Sequence, residues 1–143
     1  MRRQATLLAL VVYVIGVTGC ATMGDVVKDK SAGTSQIYPV TDGQAWDIAK
    51  VVFRWEGSDA IEEHRSEGYM LTSSGMNLVS YGAVMGAWIE PVDQTQTKVT
   101  VVTKRRLAMN VATTLTESTF QKRFAQAVDI IKAGKPLPPV APE

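Results

Sequence analysis

Apolar and polar positions alternate along this chain in four registers: a continuous apolar run near the start, a small polar stretch, a periodic middle, and a proline-rich end. The middle carries most of the structural information. Gln36-Ile37-Tyr38-Pro39-Val40 predicts a short strand, and Pro39, which has no amide to donate, places it at an edge or a strand end. Thr41-Asp42-Gly43-Gln44 then fits a capping box, with Thr41 accepting from a free amide and Gln44 reaching back. Ala45, Ile48, Ala49, Val52 and Phe53 follow at the spacing of one helix face, Trp46 flanks that stripe, and Gly57 ends it.

Beyond Gly57 the periodicity changes to that of strands. Ala60 to Arg65 and Tyr69 to Ser73 flank Ser66-Glu67-Gly68, a tight hairpin with Gly68 in the left-handed position. Ala83 to Val92 and Lys98 to Arg105 predict two more strands across the polar loop 93–97. A second helix follows, with a capping box at Thr114-Leu115-Thr116-Glu117 and an apolar stripe at Phe120, Phe124, Ala127, Val128 and Ile131. Gly134 and Pro136 stop it. This order predicts an α+β, two-layer sandwich: an antiparallel sheet of about four to five strands with two helices packed on one face.

The flanks read differently. Residues 21–35 (ATMGDVVKDKSAGTS) are small and polar without sustained periodicity, so residues 20–35 are expected to form a flexible linker that holds a domain, residues 36–134, about 20 Å from its attachment point. Residues 135–143 (KPLPPVAPE) hold four prolines and predict an extended, disordered tail.

At the other end, Arg2 and Arg3 precede Ala5 to Val17, thirteen residues with Thr6 as the one polar side chain. A spanning helix needs about 18 or more apolar residues, so this run has the profile of a signal peptide, residues 1–19. It leads to the chain's single cysteine, which can close no intramolecular disulfide and has no metal-site spacing around it. Val17-Thr18-Gly19-Cys20 resembles the lipobox of bacterial lipoproteins. The resemblance implies cleavage before Cys20, with a covalent diacylglycerol and an N-acyl chain on that residue and no other cofactor. Because Ala21 is not aspartate, it also implies the periplasmic face of the outer membrane, or the extracytoplasmic face of the cell membrane in a Gram-positive host. Two or three acyl chains exceed the two-signal threshold for stable anchoring, at about 0.8 kcal/mol per buried CH₂.

Charge narrows the partners. Without residues 1–19 the chain keeps 124 residues, and loss of Arg2 and Arg3 leaves 13 Lys and Arg against 14 Asp and Glu, a formal charge of −1. Such a balance excludes nucleic-acid binding driven by bulk phosphate attraction. The Ala45-Trp46 pair in the first helix and Gly68-Tyr69-Met70-Leu71-Thr72 further resemble small bacterial envelope lipoprotein domains of unassigned function, from which no functional residues carry over.

Candidate chemistry is sparse. His64, the sole histidine, follows Glu62 and Glu63, but in a strand only Glu62 shares its face, which leaves two ligands and no catalytic or metal site. No G-x-S-x-G elbow is present. The segment 73–86 (SSGMNLVSYGAVMG) combines glycines with adaptable Met and Tyr side chains, and Lys104-Arg105-Arg106 is the densest basic cluster after the leader. Tyr81, Met85, Lys104, Arg105 and Arg106 are therefore the expected contact surface. The function expected is that of a non-catalytic, lipid-anchored envelope protein that meets an envelope protein partner or maintains the envelope. The alternative is a carrier or sensor of a small apolar ligand or lipid, held between sheet and helices.

Overall fold

A computed structural model describes residues 21–74, 82–105 and 116–143. Five antiparallel strands form one sheet: β1 (Thr34–Tyr38), β2 (Ser58–His64), β3 (Tyr69–Ser74), β4 (Ala83–Pro91) and β5 (Thr97–Arg105), in the order β1-β5-β4-β3-β2. Three α-helices are described: α1 (Met23–Lys28), α2 (Asp42–Trp55) and α3 (Glu117–Lys132). The α+β architecture expected from the sequence is the architecture found, with α2 and α3 together on one face of the sheet.

Local signals account for most elements. Thr41 caps α2 reciprocally with Gln44, as its spacing requires, and Ala45, Trp46, Ile48, Ala49, Val52 and Phe53 are all buried. Gly68 closes the β2–β3 hairpin at φ +77°, a backbone region in which other L-residues are strained. Antiparallel register places Met85, Ala87 and Ile89 of β4 beside Val99 and Val101 of β5 beneath α2 and α3. Phe53, Phe120, Phe124 and Tyr38 meet there, with ring centroids between 4.5 and 5.9 Å apart.

One polar knot lies inside this layer. Gln121, on the apolar side of α3, donates through Nε2 to the carbonyls of Thr34 (3.0 Å) and Val99 (3.3 Å). Its Oε1 stands 2.5 Å from the Tyr38 hydroxyl. Burial pushes the Tyr38 phenol above the ordinary tyrosine range. Between the helices, Glu56 pairs with Arg123 at 3.5 Å, and its burial outweighs that partner and raises its carboxyl pKa.

Four expectations need correction. Helix α3 is capped by Thr116, whose hydroxyl accepts from the Thr119 amide at 3.2 Å; Thr114 lies outside the described residues. Glu117 stands at the first position of this helix rather than the third, and its carboxylate accepts from the Thr34 hydroxyl (2.5 Å) and the Thr103 amide (3.1 Å). The first strand starts two residues earlier than expected and stops at Tyr38, since Pro39 cannot extend the ladder. The proline-rich tail is not loose: Leu137 packs on the core, Pro138 accepts from Trp55 Nε1 at 2.9 Å, and the Pro142 carbonyl accepts from Arg123. The fourth correction is the largest, because residues 21–35 are not a linker: 21–33 form a folded strap across the opposite face of the sheet, and 34–35 open β1.

Candidate functional site

The strap is built around a six-residue helix, α1, too short to persist in water by itself. Thr22 caps it: its amide and hydroxyl both reach Asp25 Oδ2 at 2.8 Å, and the Asp25 amide returns to the Thr22 hydroxyl at 3.4 Å. Those bonds, the backbone one foremost, hold the Asp25 carboxyl below the usual carboxylate range. Tertiary contact supplies the rest. Val26 is fully buried among Leu71, Val84, Trp88 and Val102, with Ala21 and Met23 packed beside it. Burial of a valine side chain contributes about 1.5–3 kcal/mol, enough to hold a short capped helix.

Two glycines make the fit possible by close approach. A Cβ on Gly86 would lie 2.7 Å from Val26 Cγ1, and one on Gly33 would lie 2.5 Å from the Val101 carbonyl oxygen. Charges fasten the strap at its margins. Lys104 contacts Asp29, which raises the lysine pKa. Lys30 lies 2.8 Å and Lys98 3.2 Å from the two oxygens of Glu90, and Lys30 also stands 5.9 Å from the Trp88 ring centre. Burial alone would lift the Glu90 carboxyl, but the two lysines overcome it and hold the group below its ordinary range. All three lysines keep part of their side chains in water, so each pair is modest in energy.

On the same sheet face, His64 stacks on Tyr69 at 4.7 Å, and Tyr69 leans toward Trp88 at 5.7 Å. His64 Nε2 is 3.7 Å from Glu62 Oε2, the one neighbour that strand alternation predicts. Among the described residues no group of three or more metal-binding side chains comes together.

The expected contact surface is divided by the fold. Met85 is fully buried beneath α2 and α3 and cannot serve as a contact residue. Alternation along β4 sends 85, 87 and 89 to one layer and 84, 86 and 88 to the other, and both layers are covered. Lys104 is engaged with Asp29, whereas Arg105 at the end of β5 is exposed. Cys20, Tyr81 and Arg106 lie outside the described residues. Sequence reasoning missed α1, although a signal was there: Thr22-x-x-Asp25 before Val26-Val27 is the spacing of a capping box ahead of an apolar pair.

The space between the sheet and the α2–α3 layer holds Phe53, Phe120, Phe124, Ile48, Met70 and Met85, all essentially without solvent contact. A separate, open depression of about 500 Å³ lies between residues 41–43 and 91–94. Compared with known proteins, the chain matches no family model, no curated protein and no solved structure.

Proposed function

We propose that this chain is a lipid-anchored envelope protein, made with a cleaved leader and acylated on Cys20, whose domain makes non-catalytic contact with another envelope component. The observation that carries the reading is the succession of two arginines, a thirteen-residue run too short to span a bilayer, and Val17-Thr18-Gly19-Cys20. Packing supports a contact role over a carrier role, since large side chains stand where a carrier would need its chamber. The outer membrane, on its periplasmic side, is the proposed site, and no nucleic acid is involved.

Metabolic labelling with an alkynyl fatty acid tests the anchor. Label should enter the full chain and not Cys20→Ser, and only the acylated form should sediment with membranes. Unlabelled wild-type protein, or a serine variant that stays membrane-bound, refutes it. The contact role is tested by a photo-crosslinking residue at Arg105, which should capture a defined envelope protein. Capture of lipid alone, with lipid retained in the purified domain, would favour the carrier instead.

A further inference from the structure

Fifteen free residues after an anchor would let a domain drift about 20 Å from the membrane in any orientation. The folded strap removes that freedom. Ala21 and Met23 are packed on the sheet face that carries α1, and Cys20 is a single peptide link, about 3.8 Å between Cα atoms, from Ala21. An acylated Cys20 therefore brings this face to the lipid with no slack. Resting on the lipid-anchor reading, we propose that the α1 side of the sheet lies directly against the bilayer head groups, seated there by the lack of a free tether, and that the α2–α3 layer faces away.

Among the described residues the exposed large apolar side chains are Val27, Ile37, Val92 and Val140, and two of these four fit this seat. Val27 of α1 and Ile37 of β1, 57 % exposed, belong to this side. Ile37 does so because Tyr38, its neighbour, is buried beneath α3, and successive strand residues face opposite ways. Val140 belongs to the tail that packs across α2 and α3, on the far side. Head-group attraction is a minor seating force, because three of the lysines on this side are engaged, Lys104 with Asp29 and Lys30 and Lys98 with Glu90, which leaves Lys28 of α1. Reach, rather than charge, sets the orientation.

Since Cys20 would be the only native thiol and is blocked by acylation, single cysteines introduced elsewhere can be labelled selectively. The full chain carrying Val27→Cys, Ile37→Cys or Val140→Cys is tagged with a fluorophore and reconstituted in phosphatidylethanolamine–phosphatidylglycerol vesicles containing a head-group nitroxide lipid. Quenching should be several-fold stronger at 27 and 37 than at 140, and high salt should leave the contrast intact. A flexible Gly-Ser insert between Cys20 and Ala21 should erase it without disturbing the fold. Equal quenching at all three positions in protein that floats with the vesicles overturns the orientation while leaving the anchor standing. So does shielding of 27 and 37 from water without nitroxide contact, which a partner protein or a second copy would produce. Contrast that survives the insert overturns the tether as its cause. Protein that fails to float removes the anchor and this orientation together, a result distinct from the others.

Discussion

Replacing Gly86 with alanine should detach or distort the strap, and the cost follows from the geometry. The new Cβ would stand 2.7 Å from Val26 Cγ1 and 2.9 Å from two ring atoms of Trp88, distances at which something must shift. If α1 lifts, the Val26 side chain returns to water at about 1.5–3 kcal/mol; if Trp88 moves, overpacking costs about 1–3 kcal/mol. Alanine regains about 0.5–1 kcal/mol over glycine in the strand, so the net loss is about 1–2 kcal/mol. For a domain of this size that lowers Tm by about 5–10 °C. The assay is urea unfolding of a soluble Cys20→Ser chain lacking residues 1–19, followed by tryptophan fluorescence, with Trp88 reporting on the strap. Val26→Ala alone should cost about 1.5–2.5 kcal/mol, from two lost methyl groups and the cavity they leave. It also removes the atom nearest the new Cβ, so the double variant should be more stable than the sum of the two by about 1 kcal/mol. Strict additivity, within about 0.5 kcal/mol, would refute the packing of α1 on Gly86.

Gln121→Leu should cost about 1–3 kcal/mol, because it removes the Nε2 bonds to the buried carbonyls of Thr34 and Val99, while the Tyr38 hydroxyl keeps Gln36 Oε1 and the residue-121 carbonyl as acceptors; an unchanged urea midpoint would contradict that knot. Tyr38 has its phenol raised by burial, so its share of stability is complete below the unfolded tyrosine value of about 10 and is lost as pH rises past it. Tyr38→Phe should therefore flatten the alkaline limb of a stability–pH profile, and an identical limb would argue against the burial. Glu90 has its pKa depressed by Lys30 and Lys98, so its contribution is present above its unfolded value and fades as pH falls through the folded one. The stability gap between wild type and Glu90→Gln should close in acid, and a gap that widens there would refute the pairing. Deleting residues 135–143 should lower stability by about 1–3 kcal/mol through loss of the Leu137 contact and the Trp55–Pro138 hydrogen bond, and a neutral truncation would show the tail to be idle.

What local sequence determined here is what neighbouring residues can enforce on one another. The Thr41–Gln44 box and the stripe through Phe53 suffice to write α2, and Gly68 suffices to turn the β2–β3 hairpin. The apolar stripe of α3 was readable in the same way, its cap only to within two residues. The start of α1 was written in Thr22-x-x-Asp25, but its docking was not legible, because α1 carries a single fully buried side chain and depends on Gly86, some sixty positions away, to receive it. Met85 was misread for a related reason: β4 is covered on both faces, so the alternation that separates core from surface is erased along it. Gln121, a polar residue of α3, is buried because Tyr38, distant in sequence, is its partner. Tertiary structure alone decided that residues 21–33 close the second face of the sheet, since a short polar segment folds only where remote strands offer it a socket, and such a socket has no signature in the segment itself.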